Sequence, residues 1–145
     1  MLVVITGAGR GIGRGLALHY LRLGHRVAGI VRRREAMRSV REEAGVHGDQ
    51  FFGYLADVTD STRMDRVMAK IVRNHGALDL VVANAGIGDQ RLAPQLSPSR
   101  VREVMDVNFL GVVNTLGPAI DQMLEQGFGQ LAVISSLASV QSLPR

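Results

Sequence analysis

The chain has 145 residues, of which 46% are hydrophobic and 21% are charged, a composition that predicts one domain with a buried core and excludes a disordered chain. It contains no cysteine, which excludes a disulfide scaffold, a thiol nucleophile and a cysteine-ligated metal. The formal net charge is +4, but aromatic residues make up only 4% of the chain, which disfavours a nucleic-acid-binding surface.

The hydropathy of the chain indicates no membrane partner. No segment reaches the roughly 18 consecutive apolar residues that a membrane-spanning helix needs. Residues 1–6 run directly into glycines and show neither a basic leader nor a cleavage pattern, so we expect no signal peptide and a cytoplasmic location.

Strand and helix patterns alternate along the whole chain. Short apolar runs predict five strands, at residues 2–6, 26–31, 51–56, 78–83 and 131–135. Helical patterns bounded by capping residues and glycines predict helices at residues 12–23, 33–44, about 60–75 and about 107–126. Asp60 is predicted to cap the third helix, with Ser61 or Thr62 as alternatives, and Ser97 is predicted to cap a helix that starts at Pro98. The alternation predicts an α/β fold in one domain over residues 1–145, a doubly wound, Rossmann-like parallel sheet of about five strands with helices on both faces.

A glycine-rich loop follows the first predicted strand and opens the first predicted helix, and it reads TGAGRGIG over residues 6–13. Glycines allow a tight turn and let backbone N–H groups approach a pyrophosphate at a helix N-terminus. The alternative interpretation is an ordinary glycine-rich turn. Because ligands of such a sheet bind at the carboxyl ends of its strands, we favour a dinucleotide site. The predicted contacts in the loop are Gly7, Gly9, Arg10, Gly11, Ile12 and Gly13.

Five motifs of the sequence resemble those of the short-chain dehydrogenase/reductase family. They are TGAGRGIG at 6–13, LADV at 55–58, ANAG at 83–86, VNF at 107–109 and VISS at 133–136, in the order and spacing of the family. The resemblance spans the whole chain and implies hydride transfer between a nicotinamide dinucleotide and a small carbonyl or alcohol substrate. It also implies a homo-oligomer, because the helix over about residues 108–126 is apolar around much of its circumference and contributes to an oligomer interface in family members.

The segment after the second predicted strand favours NADP(H) over NAD(H) as the cofactor. An acidic residue commonly follows this strand in proteins that bind NAD, whereas this chain carries Arg32, Arg33 and Arg34. A guanidinium group suits a phosphate because its planar fork donates paired, charge-assisted hydrogen bonds. We predict that Arg32 is the main ligand of the additional phosphate of NADP(H), followed by Arg33 and Arg10. In the alternative interpretation, Arg33 and Arg34 only solvate the start of the second helix.

The resemblance implies further cofactor contacts after the third and fourth strands. Asp57 would accept a hydrogen bond from the adenine amine, and the Val58 N–H would meet a ring nitrogen. A turn or cap residue is the alternative interpretation of Asp57. Asn84 would tie the central strands together, and the small residues Ala85 and Gly86 would leave room for a ribose.

The family reaction uses a tyrosine, a lysine, a serine and an asparagine, and two of these have counterparts here. Asn108 matches the asparagine and Ser136 the serine. Asn108 is also interpretable as a residue that caps a helix or stabilises a helix kink, and Ser136 as one that satisfies backbone groups. The tyrosine and lysine follow the serine in relatives at positions that lie beyond Arg145. We therefore expect the 145 residues alone to be inactive. A non-catalytic dinucleotide-binding module and a non-functional remnant are the alternatives, and no metal site is indicated.

Overall fold

The structure, a computed structural model, describes residues 1–88 and 97–136. It contains one parallel five-stranded sheet with the strand order β3-β2-β1-β4-β5. The strands are β1 (Leu2–Thr6), β2 (Arg26–Val31), β3 (Phe51–Leu55), β4 (Leu80–Ala83) and β5 (Gln130–Val133). The chain adds strands on one side of β1 and then on the other, so the strand order reverses between β1 and β4. This topology confirms the predicted doubly wound sheet and places its ligand crevice at that switch point.

Helices cover both faces of the sheet. They are α1 (Gly11–Arg22), α2 (Arg34–Ala44), α3 (Ser61–His75), α4 (Pro98–Met105) and α5 (Gly111–Gln126), with a 3-10 turn at Gly45–Gln50. Two predicted caps are confirmed, because the Asp60 side chain accepts a hydrogen bond from the Arg63 N–H at 2.9 Å and Ser97 accepts one from the Arg100 N–H at 3.4 Å. Within the described ranges, no helix is long and apolar enough to cross a membrane.

The sheet separates two hydrophobic clusters. Every residue of β1 is buried, and its side chains alternate between the two clusters. Leu2 and Val4 pack on the side of α3 and α5, whereas Val3 and Ile5 pack on the side of α1 and α2. Burial on both faces explains why the central strands read as continuous apolar runs rather than as alternating ones.

The two final strands are shorter than the sequence predicts. The fourth strand was expected from residue 78 but begins at Leu80, because the Leu78 N–H donates to the Gln126 side chain at 3.1 Å. The fifth strand was expected over residues 131–135 but spans Gln130–Val133. Among the described strands it pairs with β4, and a further bond runs from the Ile134 N–H to the Ala83 carbonyl at 3.0 Å.

The last predicted helix also differs from the prediction. The predicted span of about 107–126 is the second part of a helical segment that starts at Pro98. A single π-helical turn, Asp106–Leu110, joins α4 to α5. Such turns interrupt the 3.6-residue period, which is why periodicity alone located α5 but not its continuity with α4.

Candidate functional site

A groove of about 780 Å³ lies at the carboxyl ends of the strands. Segments that follow all five strands contribute to its walls, together with the π-helical turn. All the residues predicted as site residues line this groove except Gly13. The lining set is Gly7, Gly9, Arg10, Gly11, Ile12, Arg32, Arg33, Asp57, Val58, Asn84, Ala85, Gly86, Asn108 and Ser136.

The glycine loop opens α1 directly into the groove. Arg10 is the N-cap residue, and none of the described side chains caps the helix. The first N–H groups of α1 therefore lack intrahelical partners and present a partial positive charge beside the groove. Gly11 has a φ of +53° and open space where a Cβ would stand, so a side chain there would be strained and would narrow the approach to these N–H groups.

Gly13 lies behind the loop rather than on its surface. A Cβ at this position would overlap the carbonyl oxygen of Gly7 and the Nδ2 atom of Asn84. The absence of a side chain lets the first turn of α1 pack directly against the loop and the end of β4. Gly13 therefore allows α1 to pack closely against the glycine loop, while its predicted contact with a cofactor stays a prediction.

Hydrogen bonds between Thr6 and the segment that starts at Asn84 connect the ends of β1 and β4. The Thr6 hydroxyl, which is almost completely buried, accepts hydrogen bonds from the N–H groups of Asn84 at 3.0 Å and Ala85 at 3.1 Å. The Asn84 amide donates in return to the Thr6 carbonyl at 2.9 Å. These bonds hold the glycine loop and the segment 84–86 in fixed relation at the switch point of the sheet.

Asp57 and Val58 form the wall of the groove after β3. The Oδ1 atom of Asp57 accepts hydrogen bonds from the Thr59 N–H at 3.0 Å and from the Thr59 hydroxyl at 2.9 Å. Its Oδ2 atom lies 3.6 Å from the Arg32 Nη1 atom. Burial opposes ionisation of this carboxyl, but the bonds from Thr59 and the charge of Arg32 outweigh it and lower the pKa of Asp57. Asp57 is thus an ionised turn residue that also faces the groove.

Three arginine residues give the groove a positive end. Arg32 follows β2, Arg33 precedes α2, and Arg10 stands in the glycine loop, and all three line the groove with exposed side chains. Arg34 is the first residue of α2 and, within the described chain, does not line the groove. No carboxylate residue directly follows β2, so an anion at this end would meet guanidinium groups.

Asn108 and Ser136 stand at the opposite end of the groove. Asn108 lies in the π-helical turn, where its Oδ1 atom accepts from the Ile87 N–H at 2.9 Å and its Nδ2 atom donates to the Ile87 carbonyl at 2.8 Å. The side chain therefore fixes the segment after β4, while its predicted catalytic role stays a prediction. Ser136 is exposed three residues after the end of β5. In the described ranges, no group of three or more His, Asp or Glu residues is placed to hold a metal.

Comparison with known proteins assigns the family. The family model described as short chain dehydrogenase matches residues 1–145. The chain belongs to the short chain dehydrogenase family. Among its relatives, an uncharacterised oxidoreductase of Myxococcus xanthus is 41% identical over 142 residues, a match that covers 97% of this chain and 55% of the relative. The 3-oxoacyl-[acyl-carrier-protein] reductase FabG of Staphylococcus aureus is 33% identical over 142 residues, covering 97% of this chain and 58% of the relative.

Solved structures of short chain dehydrogenase relatives share the fold. An alcohol dehydrogenase of Thermococcus sibiricus, in complex with 5-hydroxy-NADP, matches with a TM-score of 0.89 and 31% identity. That match covers 99% of this chain and 61% of the solved one. The chain thus spans little more than half the length of the relatives named above.

Three polar residues of this short chain dehydrogenase site were missed in the sequence. Thr6 was interpreted as the end of the first strand and the first residue of the glycine motif, with no hydrogen bond assigned to it, although a hydroxyl that closes an apolar strand is a signal for a buried hydrogen bond. Thr59 follows Asp57 at the spacing of an Asx turn, which is a second usable signal. The third is Asn114 on α5, which donates to the Val58 carbonyl at 2.8 Å, and no local spacing links these two residues.

Proposed function

We propose that the protein transfers hydride between NADP(H) and a small carbonyl or alcohol substrate, and that these 145 residues supply its cofactor groove. The observation that carries the proposal is the placement of Arg10, Arg32 and Arg33 along one groove with the uncapped N-terminus of α1. A groove of this charge suits a ligand with both a pyrophosphate and an additional phosphate.

The residues of the groove fit such a dinucleotide in a definite order. The N–H groups at the start of α1, near Gly11 and Ile12, suit the pyrophosphate, and Arg32 suits the additional phosphate. Asp57 and Val58 suit the adenine, since an ionised carboxylate accepts a hydrogen bond from an exocyclic amine. When bound, the nicotinamide ring supplies or accepts the hydride.

At the other end of the groove, Ser136 would donate a hydrogen bond to the substrate oxygen. Asn108 would support a proton relay through the segment that it fixes. In the family, a tyrosine exchanges the proton, and a lysine lowers the pKa of that tyrosine and holds the ribose; both positions lie beyond residue 145 in relatives.

The relatives support the substrate class proposed for this protein. One relative is a 3-oxoacyl-[acyl-carrier-protein] reductase and another is an alcohol dehydrogenase. Both names agree with a substrate whose reacting carbon carries a carbonyl or alcohol group. A cytoplasmic location and a homo-oligomer formed through the helical surface of α5 belong to the same proposal.

Replacing Arg32 tests the cofactor preference. We expect Arg32→Ala to weaken NADPH binding by roughly ten- to a hundredfold, because one guanidinium–phosphate contact is lost, and to leave NADH binding within about twofold. Calorimetric titration of the purified variants with NADPH and with NADH gives the dissociation constant for each dinucleotide. Arg34→Ala is the matched control, since Arg34 is adjacent in sequence and lies outside the groove lining of the described chain. An Arg32→Ala variant that weakens both dinucleotides equally, or neither, would contradict the proposal.

A further inference from the structure

Helix α5 packs against Val58, which belongs to the wall of the groove that we propose to contact adenine. The Nδ2 atom of Asn114 donates a hydrogen bond to the Val58 carbonyl at 2.8 Å. One helical turn earlier, Gly111 faces the Val58 side chain so closely that a Cβ there would lie 2.6 Å from the Val58 Cγ2 atom. Val58 is 6% exposed and belongs to the hydrophobic cluster on this face of the sheet. The helix therefore holds both the carbonyl and the side chain of Val58.

Asp57, which precedes Val58, is also held in place by its neighbours. The Oδ1 atom of Asp57 is occupied by the two hydrogen bonds from Thr59, and its Oδ2 atom is the one that faces Arg32. The backbone from Asp57 to Thr59 is thus fixed locally by the Asx turn and at long range by Asn114. Without the Asn114 bond, the Val58 carbonyl would lose its hydrogen bond to α5, and the segment would be held by the Asx turn and by the packing of the Val58 side chain.

We propose that Asn114 is a positioning residue for adenine recognition, because it holds Val58, and with it the Asp57 carboxylate, in the orientation that meets the base. This inference rests on the proposed binding of NADP(H). A site that is ordered before binding loses less conformational freedom when the ligand enters, so the Asn114 bond should contribute to affinity although Asn114 does not line the groove.

The test uses the protein at its natural length and two dinucleotides that differ in one group. NADPH carries the adenine amine, and nicotinamide hypoxanthine dinucleotide phosphate carries a carbonyl oxygen in its place. We expect Asn114→Ala to weaken NADPH binding by roughly three- to tenfold, the effect of one lost hydrogen bond. We also expect the preference for NADPH over the hypoxanthine analogue to fall towards one, because a misplaced Asp57 no longer distinguishes the two bases.

Gln126→Ala is the matched control on the same helix. The Gln126 amide accepts from the Leu78 N–H at 3.1 Å and donates to the Leu78 carbonyl at 2.7 Å, so it also fixes a loop to α5, but at the opposite end of the sheet. This variant should keep both the affinity for NADPH and the preference for adenine. If Asn114→Ala does not fold, Asn114→Ser, which retains a shorter polar side chain, replaces it in the same comparison.

The outcomes separate the two proposals. If the unaltered protein does not bind NADPH, the proposed function itself is wrong. If it binds NADPH and Asn114→Ala either matches Gln126→Ala or weakens both dinucleotides by the same factor, the positioning role is wrong and the proposed function stands. A selective loss for NADPH in the Asn114 variant alone supports the inference.

Discussion

Single amide side chains fix much of the wall of the groove. Asn84 joins the ends of β1 and β4, Asn108 binds both backbone groups of Ile87, and Asn114 holds the Val58 carbonyl. An amide carries a donor and an acceptor, so it can satisfy the backbone groups that a strand leaves unpaired where it ends. The result is that residues of other elements help to hold the segments after β3 and β4, in addition to the local Asx turn of Asp57.

His75 predicts how the stability of the fold depends on pH. It ends α3, stacks on Phe52 with ring centroids 4.1 Å apart, and its Nε2 atom lies 2.8 Å from the Tyr54 hydroxyl oxygen. Burial and then the charge of Arg26 lower the pKa of His75 from its ordinary value of 6.5. The unfolded chain therefore binds this proton more readily than the folded chain, and stability should decrease as pH falls through 6.5.

We expect the melting temperature of the unaltered protein to fall on acidification more than that of His75→Gln, which has no such proton to bind. Thermal unfolding of both proteins across pH 6.5 measures the difference. His19→Gln is the control, because it also replaces an imidazole with an amide, at an exposed position on α1. Parallel curves for the unaltered protein and His75→Gln would refute this role of His75.

The residues that could be predicted from the sequence are those with a local signal. The glycine loop and the arginine residues after β2 follow strand ends, and the topology of the sheet brings strand ends together. Asn114 carried no such signal, because its partner Val58 belongs to another element and only the packing of α5 makes the two adjacent. The residue pattern alone could therefore indicate the groove but not the residues that support it.

At the level of elements, the close packing of α1 against the end of β4 controls the shape of the glycine loop. This packing depends on the missing side chain of Gly13, which lies against the Gly7 carbonyl and the Asn84 amide. We expect Gly13→Ala to lower the free energy of unfolding by about 1–3 kcal/mol, because the helix must shift away from the strand end. Denaturant titration measures the change.

Gly15 provides a control for Gly13 within the same helix. A Cβ at Gly15 would meet no atom within 4 Å, so Gly15→Ala should raise the free energy of unfolding by about 0.5–1 kcal/mol through the better helix propensity of alanine. If Gly13→Ala were stabilising to the same degree as Gly15→Ala, the close approach of α1 to β4 would not exist in solution.

Element positions were more predictable than element ends. The apolar runs located the five described strands, because β1, β2 and β4 are largely buried and β5, although largely exposed, is also an apolar run. The limits of β5 depended on the length of its partner β4, and the π-helical turn depended on how α4 and α5 pack, neither of which a local pattern contains.

For the molecule as a whole, the main asymmetry is an apolar surface on one side. Within the described residues, a stripe of exposed apolar side chains runs from the π-helical turn along α5 and is formed by Phe109, Val113, Ile120 and Leu124. Exposed apolar residues of β5 lie at the neighbouring edge of the sheet. Contiguous apolar surfaces of this kind commonly mark association sites, and self-association through α5 stays a prediction.

The central claim, that this chain carries an NADP(H)-binding groove, is tested most directly by titrating the unaltered protein with NADPH and with NADH at one fixed ionic strength. Calorimetry should give saturable binding with NADPH bound at least roughly tenfold more tightly, and the preference should decrease as salt is added, because guanidinium–phosphate attraction is screened. Equal affinities for the two dinucleotides would contradict the role given to the arginine residues. The absence of saturable binding to either would contradict the proposed function.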